Sequence, residues 1–269
     1  MTEIDACKET ILKEYPRYTL EDAFSFRCHK GAACFTECCG DVNIVLTPYD
    51  IIRMKNKLNI TSEEFLSKYT VSPFNKEQRL PVIILKMSDD ENKRCCFVSD
   101  EGCTIYEDRP WACRMYPLGL ASPKDDDQAN EEFYFIVKED TCFGFNEDME
   151  WTIREWVKDQ GIDIYNKMGA LFKEITLHEY FQRGGNLLPE KMEMFYMVSY
   201  NLDKFKIFLF ESSFFRRFEV EDEMMEKIKS DEIELMKFGF NWLRFCLFGE
   251  KTMIVKEEEA EAIKGKTSS

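Results

Sequence analysis

The sequence predicts an α+β protein: a small cysteine-rich α+β domain followed by a mostly α-helical region. Three observations lead there. Nine of the eleven cysteines fall between Cys28 and Cys142, and most of the prolines share that stretch. The apolar runs within it are short and of mixed period, some alternating and some helical. Beyond about residue 146 the apolar residues recur at helical spacing in long runs with few breakers. The expected organisation is a cysteine-rich domain over 20–146, a helical domain over 147–256 and a polar tail over 257–269.

The elements can be justified in order. Thr47-Pro48-Tyr49-Asp50 supplies a capping threonine, a proline at the first helical position and an acid at the third, so a helix runs into DIIRMKNKL. Thr61-Ser62-Glu63-Glu64 repeats the capping logic ahead of FLSKYT. LPVIILKM reads as a strand, SDDENK as a polar turn and RCCFV as the returning strand. Pro110 opens a short helix from Trp111 to Met115, and Pro117 stops it. EEFYFIVK, from Glu131 to Lys138, is a further strand that delivers Cys142.

The helical region begins with DMEWTIREWVKDQ, whose apolar face carries Trp151, Ile153, Trp156 and Val157. Three longer stretches follow: IDIYNKMGALFKEITLHEYF, KMEMFYMVSYNLDKFKIFLFESS and DEIELMKFGFNWLRFCLFG. Their apolar faces need a common core, and a small bundle packed on the first region supplies one.

Composition excludes several classes. The net charge is −15 and the pI about 4.8, so a phosphate backbone would be repelled; no basic cluster offsets this, and nucleic acid is not an expected partner. The longest apolar runs fall short of the roughly 18 residues a membrane helix needs, so no membrane partner is expected. The first residues, MTEIDACKETILKEYPRY, carry neither a basic n-region nor an apolar h-region, which points to the cytoplasm. His29 and His178 are the two histidines, leaving few places for histidine-based catalysis. No Ser/His/Asp set and no phosphate-cradling loop stands out.

The cysteines carry the chemistry. One group is written FRCHKGAACFTECCGD, with Cys28, Cys34, Cys38 and Cys39; a second is RCCFVSDEGCTIYEDRPWACRMYP, with Cys95, Cys96, Cys103 and Cys113. Cys142 stands alone in EDTCFG, while Cys7 reads as a peripheral thiol and Cys246 as a core residue. Disulfides suit oxidising compartments and small domains without a core. This chain has 269 residues, 44% of them hydrophobic, and an odd cysteine count. Metal ligation is the better reading, because thiolate is the soft ligand that zinc and iron–sulfur clusters use. Neighbouring side chains of an extended segment face opposite ways, so Cys38 and Cys39 are expected to serve different metal atoms, or one to ligate while the other packs. Eight thiolates exceed one structural zinc site, which leaves two sites or one polynuclear centre with accessory cysteines.

These residues resemble the cysteine-cluster family named for a CxxCxxCC motif and described as a zinc- or iron-chelating domain. The resemblance rests on the group ending in Cys38-Cys39 with VNIVLTPYDIIRMKNKLNITSEEFLSKYT after it, and on CFVSDEGCTIYEDRPWACRMYP. It covers about residues 24–146. It implies ligand roles for Cys28, Cys34, Cys38, Cys39, Cys96, Cys103, Cys113 and Cys142, with Cys95 second to Cys96 on register. The gaps between Cys28, Cys34 and Cys38 are longer than the family name, and His29 inside the first reads as a loop histidine rather than a ligand. Some relatives are similar to a flagellin lysine N-methylase, which implies methyl transfer as the alternative activity.

Arg109 and Arg114 flank Cys113, and their N–H groups suit either sulfur ligands or carboxylates such as Glu107 and Asp108. Tyr106 and Tyr116 read as packing groups. The expected protein therefore binds metal ions through its cysteines, most simply as a 4Fe-4S cluster with zinc as the alternative, in a redox or structural role. The helical region supports it or takes a protein partner.

Overall fold

A computed structural model describes residues 15–73, 79–121 and 132–256. Cys7 and the polar tail lie outside the described residues. The fold is α+β, with many short helices and, among the described residues, five separate two-stranded antiparallel sheets. Packing divides the chain into two units: residues 1–44 with 87–165, and residues 45–86 with 166–269. The sequence-based boundary near 146 cuts the chain once; packing assigns 45–86 to the helical unit and carries 147–165 into the cysteine-bearing one.

The cysteine-bearing unit is organised by aromatic packing. Strand Ala23–Ser25 pairs with Glu150–Thr152, placing Phe24 opposite Trp151. Leu118–Ala121 pairs with Phe133–Ile136, and Tyr18 bridges to Tyr134 at its edge. Helix Trp111–Met115 follows Pro110 and ends before Pro117, as the sequence predicts. Thr152 caps helix Ile153–Asp159 by a capping box with Glu155 that was not singled out from the sequence. Phe24, Phe26, Met115, Leu118, Ile153, Trp156, Val157 and Ile162 bury their side chains together. Phe26 is only 2% exposed and meets Tyr116, Phe145 and Trp156 edge to face.

The expected hairpin between LPVIILKM and RCCFV is much reduced. Within this unit it survives as a bridge between Met87 and Cys95 and a bond from Ser88 N–H to Arg94 C=O. Val98–Ser99 turns back instead on Gly102–Cys103. Gly102 sits at φ +110°, a conformation that only glycine adopts readily.

In the other unit, both predicted capping boxes are present, at Thr47 with Asp50 and at Thr61 with Glu64. They start helices Pro48–Leu58 and Ser62–Tyr69. Ile84–Leu85, the ordered centre of LPVIILKM, pairs with Thr70–Val71. KMEMFYMVSYNLDKFKIFLFESS divides at Asn201 into helices Pro189–Tyr200 and Leu202–Glu211, and the Asn201 side chain caps the second. Helix Glu232–Phe248 runs the length of the last predicted stretch.

Polar chemistry explains why 45–86 packs here. Lys55 is 4% exposed and pairs with Glu232 and, at 3.7 Å, with Asp203. Asn56 donates to Glu232 at 2.7 Å, and the Ser62 N–H donates to Asp203 at 2.6 Å. These bonds tie both capped helices to the helices that follow residue 200. No pattern within 45–86 announces them, because each partner lies more than 140 residues away.

Two substitutions test this packing. A Cβ at Gly144 would lie 2.7 Å from the Phe26 ring and 3.1 Å from the Arg27 carbonyl. Gly144→Ala should therefore cost about 1–3 kcal/mol in urea unfolding, and an unchanged midpoint would show that the loop simply gives way. Lys55→Met keeps the volume but strands two carboxylates. It should cost roughly 2 kcal/mol, less than a fully buried pair, because both acids reach solvent. Full retention of stability at low salt would refute that assignment.

Candidate metal centre

All nine cysteines from Cys28 to Cys142 belong to the same packing unit, and none of them is joined in a disulfide. Cys28 is exposed and follows the buried Phe26; the intervening Arg27 N–H donates to the Gly144 C=O at 3.0 Å. Cys34 lies half-buried in the next turns, where its Sγ accepts the Phe143 N–H at 3.2 Å. That bond brings Cys34 to the residue after Cys142. Cys142 itself lies in a turn beyond strand Phe133–Ile136, not at the strand end expected from the sequence. It packs beside the aromatic core and faces the buried Tyr116 hydroxyl, whose pKa rises through burial and that neighbour.

Cys38 and Cys39 sit on a 3-10 turn, Glu37–Cys39, rather than in the extended segment expected. Thr36 opens the turn at φ +68°, a costly conformation for a β-branched residue. It is held there by Arg94, whose guanidinium donates to the Thr36 hydroxyl at 2.9 Å. Three further ties join the two cysteine segments. Gly40 bridges to Arg94, the Cys95 N–H donates to the Cys39 C=O at 2.7 Å, and Lys93 pairs with Asp41 at 2.8 Å.

The vicinal thiols interact directly. The Cys39 thiol donates to the Cys38 sulfur, which lowers Cys38 to about 7 and raises Cys39. Cys96 does the same for Cys95, which is also lowered to about 7. Cys28 is pushed up to about 11 by burial and then by Cys38, Cys34 and Cys142. Burial also raises Cys103, with a contribution from Cys95 and an opposing one from Arg109. Cys113 rides on the short helix Trp111–Met115, within electrostatic reach of Cys39 and Arg109.

The two arginines answer the choice left open by the sequence. Arg114 bonds three backbone carbonyls, of Arg109 at 3.0 Å, of Gln160 at 2.8 Å and of Glu107. It therefore braces the loop that leads into the helix bearing Cys113. Arg109 lies over the Tyr106 ring at 3.8 Å and bonds the Gln160 side chain, and it faces Cys113 and Cys103. Burial lowers its pKa, and the nearby thiols oppose that shift. Gln160 has no signal in the sequence, because its role depends on a helix some fifty residues downstream returning to this loop.

The His29 Nδ1 accepts the Gly31 N–H at 3.1 Å, while its buried Nε2 lies 3.2 Å from Glu147 without a hydrogen-bond partner among the described residues. Tyr116 packs against the core, whereas Tyr106 is exposed beneath Arg109. Cys246, in the other unit, is half-buried and pushed up to about 11 by burial.

The comparisons now bear on this arrangement. Residues 27–143 match the CxxCxxCC family. That family is described as a "putative zinc- or iron-chelating domain", and the match spans a little under half of the chain. It supports a zinc- or iron-chelating role for the segment. No curated protein and no solved structure matches the chain. Within the CxxCxxCC segment the donor set suits either metal, since soft thiols crowd one another and a cation would relieve their repulsion. Among the described residues, no three His, Cys, Asp or Glu side chains are placed to hold an ion as they stand. Closure onto a metal requires thiols to rotate between staggered positions.

Differential alkylation tests the thiol pattern. Cys28 and Cys38 are both exposed, so access does not separate them. In metal-free protein near pH ~7.5, iodoacetamide should label Cys38 about 20–60-fold faster than Cys28. That range weighs the thiolate fractions against the weaker nucleophilicity of the more acidic thiol. Equal rates by peptide mass spectrometry would contradict the assigned Cys39-to-Cys38 hydrogen bond.

Proposed function

We propose that the thiolates of the CxxCxxCC segment hold an iron–sulfur cluster, with zinc as the alternative occupant. The observation that carries this reading is that hydrogen bonds hold thiol-bearing segments from separate parts of the chain beside one another, Phe143 N–H to Cys34 Sγ and Cys95 N–H to the Cys39 carbonyl. The turns at 28–39, the hairpin at 95–103, the helix bearing Cys113 and the turn at Cys142 all contribute. The residues proposed to bind are Cys28, Cys34, Cys38, Cys39, Cys103, Cys113 and Cys142, with a further ligand from the pair Cys95–Cys96.

The thiol count favours iron–sulfur over a single zinc ion, which takes four ligands. A bound cluster supplies one-electron exchange. The surrounding residues have distinct tasks. Arg109 places positive charge beside Cys103 and Cys113, offsetting thiolate charge, while Arg114 holds the loop that presents Cys113. Phe26, Tyr116 and Phe145 wall the site near Cys142 with apolar surface, which limits water access. A reducing compartment such as the cytoplasm keeps the thiols available.

Purification without oxygen, followed by metal and acid-labile sulfide analysis, tests the reading. Iron and sulfide in comparable amounts, with absorbance near ~400 nm that bleaches on reduction, is the expected result. Zinc without sulfide would overturn the cluster and leave the zinc reading. Absence of both from freshly purified protein, with no uptake on reconstitution, would overturn metal binding itself.

A further inference from the structure

Two strands of the cysteine-bearing unit carry open edges. Bonds from the Phe26 N–H to the Met149 C=O and from the Ile153 N–H to the Asp22 C=O set the phase of the pairing between Ala23–Ser25 and Glu150–Thr152. Bonded pairs recur at every second residue of an antiparallel ladder. The N–H and C=O groups of Ala23 and Ser25 therefore point away from that neighbour, and they meet no other partner among the described residues. Phe133–Ile136 behaves alike. The Val137 N–H donates to the Pro117 C=O at 2.8 Å, so Tyr134 and Ile136 turn their backbone groups to the opposite edge. Tyr18 takes up Tyr134 there through two bonds, of 2.8 and 3.0 Å. Two residues further along the same register Pro16 would meet Ile136, and proline has no N–H to give. The pairing stops, and Ile136 is left open.

Both open edges face one groove of about 690 Å³. Ala23 and Ser25 line it from one strand, Ile136 and Lys138 from the other, and Tyr18 and Phe145 add aromatic surface. Lys138 is exposed, and its ammonium lies 5.5 Å from the centre of the Phe145 ring. Among the described residues it is the one charged side chain lining the groove; Glu139 and Asp140 follow it in sequence but do not line it.

We propose that this groove docks an extended segment of a partner protein, taken up as an added strand along the two open edges, with a carboxylate of the segment on Lys138. The walls define this occupant. Backbone donors and acceptors on two sides are best met by another extended backbone, which offers both along each of its edges. Alternate side chains of a strand share a face, so an aromatic residue can pack on Tyr18 and Phe145 while an acid two positions away reaches Lys138. The chain has a net charge of −15, yet the charge at this groove is positive, which favours an acidic segment here. Proline and lysine also serve to keep strand edges from pairing, and that guarding role is the rival reading of Pro16 and Lys138. The docking proposal stands independently of the metal.

Selection of short random peptides displayed on phage against the full-length chain tests it. Enriched sequences should carry an acid two positions from an aromatic residue, and a synthetic copy of one should bind by fluorescence anisotropy. Lys138→Glu should weaken that peptide roughly 5–10-fold, most at low salt. Ala23→Pro and Ser25→Pro each remove a groove-facing N–H and no bond to Glu150–Thr152, so the fold should survive, with circular dichroism as the check. Each should weaken binding about tenfold. N-methylation of alternate peptide nitrogens should abolish it. Failure to enrich any peptide would overturn docking and leave the guarding role. Binding unchanged in all three variants would overturn the groove as its place, and binding that survives N-methylation would overturn strand addition. The same sensitivities shown by a synthetic peptide of residues 1–14, or by self-association of the chain in sedimentation, would overturn the partner in favour of this chain's own backbone.

Discussion

The cysteine loops depend on one anchored residue, Phe26. Its backbone N–H donates to the Met149 C=O at 2.8 Å, and its own C=O accepts the Trp151 indole N–H at 2.9 Å. Its ring is enclosed by three aromatic neighbours, each such edge contact contributing about 0.5–1.5 kcal/mol beyond burial. Cys28 begins two residues later, and Cys142 returns to the same core from the opposite direction. Thiol loops have little apolar surface of their own. They become ordered because both ends of the arrangement are fixed to a packed aromatic cluster, with Gly144 allowing the close approach.

A second constraint is charge. Several thiols within reach of one another disfavour the thiolate form, as the raised Cys28 and Cys103 indicate after burial has been counted. The fold meets part of this with buried guanidiniums, and their placement is costly unless every donor is used. Arg114 spends its donors on carbonyls and so fixes backbone; Arg109 shares its positive charge with the sulfur side. Two arginines five residues apart thus divide the work of bracing and of charge compensation.

Local features were legible in the sequence and distant ones were not. The caps at Thr47 and Thr61, the helix after Pro110 and the helix ending at Phe248 depend on neighbours within a few residues, so pattern revealed them. The break at Asn201 was missed because apolar spacing runs through it, while the asparagine side chain makes a new cap. The hairpin expected around SDDENK was overextended, since Gly102 turns Val98–Ser99 back on a nearer strand. Strand pairing is a contest among partners, and alternation within one segment does not say which partner wins.

By itself the sequence determined the α+β class, the capped helices and the concentration of thiols in residues 28–142, because composition and short-range spacing are properties of the chain alone. Only the tertiary structure decided that 45–86 packs with the helical unit, through Lys55, Asn56 and Ser62 meeting acids far along the chain. It also decided that His29 lies 3.2 Å from Glu147 and that the Cys95 N–H reaches the Cys39 carbonyl. The physical reason is common to all three. Hydrogen bonds and ion pairs act over a few ångströms, and which residues come within that distance is set by how remote segments pack.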